Sequence, residues 1–311
     1  MPKLSVTLFG KFSIRRDEQA LSGFDSCKVQ ELFCYLLLRR ERPHPRETLA
    51  SLLWGDIPTP QSKKYLRQTL WQLQAALDCE DQSDADRVLL VENDWVCFNS
   101  RACLMLDVAV FEQAFADCKG MPGERIDART AQALEEAVRL YEADLLEGWY
   151  QDWCLYERER LQNIYLAMLD KLMSYCEARG SYETGLMYGA RIIRYDRARE
   201  RTHRQMMRLQ YMAGDRTAAL RQYERCASAL EEELGVKPDK LTQALYQQIR
   251  MDRLSEAAPS ETGAASAGEP SPASLPELLN RLKHLRAVLI DIQRQIQQDI
   301  RAVELTLDSD R

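Results

Sequence analysis

Residues 46–77 read RETLASLLWGDIPTPQSKKYLRQTLWQLQAAL. The stretch predicts a short helix, a proline-broken connection, and a second helix that is amphipathic and cationic at its start. Leu66, Leu70, Leu73 and Leu77 recur at three- and four-residue steps and form one buried stripe. At about 100° per residue the opposite side carries Lys64, Gln68, Trp71 and Gln72, with Arg67 on its flank. Long donor side chains facing away from a leucine stripe are what a helix needs to reach base edges in a major groove. Lys63, Lys64, Arg67, Gln68, Trp71 and Gln72 are therefore the candidate DNA-contacting residues. Spacing alone is a weak signal, because many surface helices carry Lys, Arg and Gln outside. The neighbouring elements strengthen it.

Upstream, KLSVTLFGKFSI (3–14) alternates and is rich in β-formers, and RRDEQA (15–20) supplies a polar turn, so a small leading sheet is expected. Cys27 to Leu38 is an apolar-striped helix closed by Pro43 and Pro45. Downstream, RVLLVENDWVCFN (87–99) predicts two short strands joined at Glu92-Asn93-Asp94, a hairpin that can serve as a wing. Strands, three helices and a hairpin in that order make a winged helix-turn-helix.

At these residues a family resemblance appears. The order is similar to the winged-helix output domain of bacterial response regulators. More closely, it resembles the version fused to a bacterial transcriptional activator domain in antibiotic-regulatory-protein-type activators. The matching pieces are LFGKFSI (8–14), LASLLWGD (49–56), LRQTLWQLQAAL (66–77), LDVAVFEQA (106–114) and LGVKPDKLTQALYQQI (234–249). Together they span roughly residues 3–254. Trp54-Gly55-Asp56 and LDVAVFE are the more specific of them. The resemblance implies promoter DNA as ligand, with dimerisation or RNA polymerase contact through the activator domain. It also marks departures: members of this family commonly carry Arg at the positions of Gln72 and Gln74, and a small residue at that of Trp71. Glutamine can pair with adenine N6 and N7 but neutralises no phosphate, so weaker, more dimer-dependent binding is expected. Trp71 either packs against a neighbouring helix or faces DNA.

The net charge of −6 is wrong for a protein that binds nucleic acid over its whole surface. Its distribution matters more. Residues 1–77 hold 12 basic and 7 acidic side chains, and acids then cluster from Asp78 through Asp94. The helix face can be positive while the hairpin is approached through negative charge. At 311 residues the chain is long enough for two domains with sizeable cores. It has no run approaching the roughly 18 apolar residues of a membrane span. MPKLSVTLFGKFS lacks the apolar run of a secretory leader. Nine cysteines at scattered positions, no C-x-x-C and three histidines predict reduced thiols in a cytoplasm and no zinc site.

From Leu104 to about Leu254 the pattern is almost wholly helical, punctuated by Gly120, Gly148, Gly180, Gly214 and Gly235. ARGSYETGLMYGARII and MAGDRTAALRQYERCA repeat one design at a period of 34: Gly180 to Gly214, and Leu186 to Leu220. That is the tetratricopeptide period, in which stacked helix pairs leave a concave surface for a partner. Arg191, Arg194, Arg197, Arg199, Arg201, Arg204 and Arg208, interrupted by Asp196 and Glu200, are expected to form a solvated surface with local ion pairs rather than a phosphate site. His203 carries no expected catalytic or metal role. Asp152, Glu157 and Glu159 near Trp149 and Trp153 make a packed helix start, and Tyr182, Tyr188 and Tyr195 repeat packing.

Ser255 to Ser274 is a Pro/Gly/Ala/Ser/Glu stretch that predicts a flexible linker. From Pro276 to about Leu307, Leu278, Leu282, Leu285, Leu289, Ile292 and Ile296 step by four and three, a heptad seam that stutters at Asp299. Leu282, Leu285, Leu289, Ile292 and Ile296 are the candidate oligomerisation residues; the alternative is that this helix docks onto its own repeat domain. No G-x-x-x-x-G-K-[ST] loop, G-x-S-x-G elbow or H-E-x-x-H occurs, so no enzyme, cofactor or appended ATPase is expected. The expected fold is mainly α. A winged helix-turn-helix (1–100) precedes an all-α tetratricopeptide-like activator domain (101–254), a linker (255–274) and a coiled-coil-like helix (275–308). The expected function is a cytoplasmic DNA-binding transcriptional activator that works as a homodimer or higher homo-oligomer. The alternative is a helical-repeat scaffold or sensor whose winged helix has little DNA affinity.

Overall fold

The computed structural model describes residues 4–78, 87–99, 102 and 104–254. The expected linker and tail helix, with Leu282, Leu285, Leu289, Ile292 and Ile296, lie outside the described residues.

The N-terminal part is a winged helix. Strands β1 (Leu4–Thr7) and β2 (Ser13–Arg16) pair antiparallel, Val6 opposite Ile14, and β2 pairs with β3 (Gln19–Ala20). RRDEQA is thus less of a loop than expected. Arg15 and Arg16 still belong to β2, and only Asp17 and Glu18 turn, both at positive φ, which is what a two-residue hairpin needs. Helix α1 (Cys27–Leu38) occupies the predicted residues, and α2 (Arg46–Leu53) and α3 (Thr59–Leu77) follow. The wing is the hairpin β5 (Leu89–Val91) and β6 (Trp95–Phe98), turning at 92–94. The two-residue strand β4 (His44–Pro45) adds to its other edge, giving the order β4-β6-β5.

Leu104–Leu106, expected to open the helical half, is instead a strand, β7. It lies parallel to β1, Val6 opposite Leu106, and completes a four-stranded sheet of order β3-β2-β1-β7. The chain then runs straight into α4 (Asp107–Asp117). Helices α5 (Ala128–Leu140), α6 (Asp152–Ala178), α7 (Tyr182–Tyr195), α8 (Glu200–Met212), α9 (Arg216–Leu234) and α10 (Lys240–Arg250) follow, each packed on the one before. α7 and α9 begin at residues 182 and 216, 34 apart, where the repeat of Gly180 and Gly214 places them.

One apolar core runs from Leu4 through Leu209 without a break between the winged helix and the helices. A smaller cluster of Met207, Ala219, Leu245 and Ile249 holds the last helices. The join is built by the LFG of residues 8–10. The Leu8 and Gly10 carbonyls accept from the Leu146 and Glu147 amides, both at 2.8 Å, and Gly10 donates to the Asp144 carbonyl at 2.9 Å. Phe9 packs its ring on Phe111 and Tyr141, with centroids 5.0 and 4.8 Å away. Asp107, at the first turn of α4, accepts the Leu8 and Phe9 amides on Oδ2 at 2.8 and 2.9 Å and the Val108 amide on Oδ1 at 2.7 Å. Burial pushes its carboxyl above the usual range, and those amides pull it back.

A chain of alternating charges crosses the same seam. Arg40 bonds Glu112 at 2.8 Å, Glu112 bonds Arg160 at 2.5 Å, Arg160 bonds Glu157 at 2.7 Å, and Glu157 bonds Arg39 at 2.5 Å. The Glu157 side chain is almost fully buried, and a polar group taken out of water needs such partners to offset its lost hydration.

Candidate nucleic-acid interface

The leucine stripe of α3 behaves as its spacing predicts: Leu66, Leu70, Leu73 and Leu77 are buried against α1 and α2. On the other side Lys63, Lys64, Arg67, Gln68, Trp71 and Ala75 are exposed, and Gln72 and Gln74 are half-buried. The side chains proposed to reach DNA therefore share one face, with Gln72 at its edge. Trp71 is 69% exposed.

Helix α3 is held at a fixed entry by the connection 54–58. Pro58 precedes its first residue and Pro60 falls in the first turn, where a missing N–H costs nothing. Trp54 packs on Tyr65, centroids 6.0 Å apart, and Lys28 lies 5.9 Å over the Trp54 ring while donating to the Leu53 carbonyl at 2.8 Å. The specific Trp-Gly-Asp element thus supplies the wedge between α2 and α3.

The wing stands beside this face. Its turn is braced on the start of α2, where the Arg46 amide donates to the Asp94 carbonyl at 2.9 Å and its guanidinium to the Glu92 carbonyl at 3.2 Å. Between wing and helix lies a groove of about 630 Å³ lined by Arg46, Glu47, Lys63, Arg67, Asn93, Asp94 and Trp95. Its charge is mixed. Lys63 bonds Glu47 across the groove at 2.5 Å, holding that carboxyl below its usual range. Both ends are well exposed, so the pair contributes little to stability and is easily exchanged for a phosphate. Glu47 and Asp94 are the residues sequence reasoning did not assign to this site. Nothing local in the sequence pairs Glu47 with a lysine sixteen residues away.

The other clusters are structural. Arg197 pairs with Glu232 at 3.1 Å, and Arg199 with Asp170, Arg204 with Asp239 and Arg208 with Glu177, each at 2.8 Å. His203 is buried, with Nε2 donating to the Arg197 carbonyl at 2.9 Å and Nδ1 accepting from Gln222 at 2.8 Å. Glu157 belongs to the seam. Tyr188 donates to Glu135 and Tyr195 packs on Tyr165. Among the described residues no His/Cys/Asp/Glu group could hold a metal ion, and no helix is long and apolar enough to cross a membrane. Five of the seven described cysteines are buried; burial pushes the Cys176 and Cys226 thiols up to about 11 and about 12.

Residues 106–250 match the family model described as bacterial transcriptional activator domain. The match covers just under half of the chain, and this part is similar to bacterial transcriptional activator domains. Its start falls at the end of β7 and its end at the last residue of α10. The activator domain and winged helix together are similar to the regulatory protein AfsR of Streptomyces griseus, 25% identical over 278 residues, 88% of this chain and 27% of that protein. AfsR of Streptomyces coelicolor is 26% identical over 248 residues, 79% of this chain and 24% of that protein. The chain thus spans about a quarter of the length of these relatives. Among solved structures, Mycobacterium tuberculosis EmbR, in complex with a low affinity phosphopeptide, has the same fold. The TM-score is 0.63 and the identity 18%, covering 81% of this chain and 66% of EmbR.

Proposed function

We propose that this protein is a DNA-binding transcriptional activator of the cytoplasm that reads promoter repeats. Residues 1–100 act as the reading head and 101–254 as the partner-binding domain. One observation carries the reading: α3 buries its leucines and presents Lys63, Lys64, Arg67, Gln68 and Trp71 outward on one face, with Gln72 at its edge. That helix is preceded by a short helix and flanked by a wing, the arrangement that lays a recognition helix in the major groove. Lys63, Lys64 and Arg67 meet phosphates or guanine edges, and Gln68 and Gln72 suit adenine. The concave side of the tetratricopeptide-like helices meets a second copy or RNA polymerase. Likeness to regulatory proteins supports this function and gives no support to an enzymatic one.

The mixed groove favours one competing reading. Glu47 and Asp94 beside Lys63 and Arg67 lower the attraction for phosphate, as a scaffold or sensor with little DNA affinity would require. Selection of bound sequences from random duplex DNA with the purified protein separates the two. A spaced repeat is the expected outcome, and the absence of any enriched sequence would overturn the activator reading.

A further inference from the structure

Trp71 sits in the middle of the α3 face, the one aromatic ring among Lys64, Arg67, Gln68 and Gln72. Among the described residues no ring, cation or hydrogen-bond partner engages its side chain. It borders a shallow concavity formed with Gly23, Ser26, Val29 and Ala76 without being buried in it. Arg67 lies one helical turn before it, about 6 Å along the axis. One turn further on, the residue on the same side of the helix is the small, exposed Ala75. A donor-rich helix that brings Arg67 and Gln68 to base edges brings this ring to the same depth. The base feature that an apolar side chain reads in the major groove is the C5-methyl of thymine.

We propose that Trp71 is a specificity-determining residue whose indole packs on the methyl group of a thymine in each bound half-site. The inference rests on the DNA-binding reading above. It gives this chain a base contact that makes up for the uncharged Gln72, and it places the thymine about two base pairs from the contact of Arg67.

The test uses the full chain and an operator selected from random duplex DNA. Each thymine is replaced in turn by deoxyuridine, which lacks only the methyl group. At one thymine per half-site the replacement should weaken binding of the parent about four-fold, the worth of one buried methyl. It should leave Trp71→Ala unaffected, and Trp71→Phe should keep most of the sensitivity. Sequences selected by Trp71→Ala should lose thymine at that position and keep the rest of the motif. Several results overturn the inference while the DNA reading stands. One is a parent indifferent to every replacement; another is a Trp71→Ala protein as sensitive as the parent. A third is a Trp71→Ala protein that melts earlier and loses affinity for all sequences alike, since the ring would then be part of the fold. A parent that selects no sequence overturns both.

Discussion

Asp107 carries more of the fold than any exposed charge does. Its carboxylate accepts three buried amides from two segments nearly one hundred residues apart. Replacement by alanine strands those amides without water, and hydrogen bonds to a charged group are worth about 1.5–3 kcal/mol each without being additive. Asp107→Ala should therefore lower stability by about 3–5 kcal/mol in urea unfolding. A change within about 0.5 kcal/mol, the usual range for a surface substitution, would show the clasp to be dispensable. At the proposed interface the cations act differently. Alanine at Lys63, Lys64 and Arg67 together should leave unfolding unchanged and weaken operator binding by several kcal/mol, at about 1–3 per contact. The log-affinity against log-salt slope should shrink by up to about 0.9 for each lost phosphate contact. A folded triple variant that binds as tightly as the parent would remove these residues from the interface. The face they share was legible in the sequence because helical periodicity is local, and four leucines fix which side is buried. The Glu47–Lys63 pair was not legible, since it depends on how two helices meet.

At the scale of elements, helix limits were read well and short strands poorly. α1 ends where two prolines follow it, and the wing turns at Glu92-Asn93-Asp94, both signals carried by a few adjacent residues. β4 has two residues and β7 three, too few to show alternation, and their partners lie about fifty and one hundred residues away. Close packing between elements is equally hidden. Gly123 sits on a single 3₁₀ turn (Gly123–Arg125) laid against α6, where an added Cβ would stand 2.5 Å from the Lys171 carbonyl oxygen and 2.7 Å from the Ser174 Cβ. The obstacle is helix backbone that cannot yield like a side chain. Gly123→Ala should cost about 1–3 kcal/mol by thermal unfolding. An unchanged midpoint would mean that the 3₁₀ turn moves away freely.

Across the whole molecule, two buried histidines tie stability to pH. His44 donates to the Arg39 carbonyl at 3.1 Å and His203 lies in its network with Gln222; burial lowers both below the ordinary 6.5. Above pH 6.5 each is neutral in the folded and the unfolded chain. As pH falls below that value the unfolded chain takes up protons first. Stability is thus present above 6.5 and is lost as pH drops toward the folded-state values. The unfolding midpoint should fall between pH 7 and pH 5, and His203→Asn should flatten that slope. An equal slope in the variant would assign the loss to other groups.

The seam has a consequence for inheritance. Swapping heads between two such regulators at residue 100 would separate β1 from β7, the Leu8 and Phe9 amides from Asp107, and Arg39 from Glu157. A chimera survives only if the donor head matches the recipient at all three places. The unit that recombination can exchange intact is the head together with the helices bearing those counterparts, so under the proposed function operator preference and partner preference would travel as one trait.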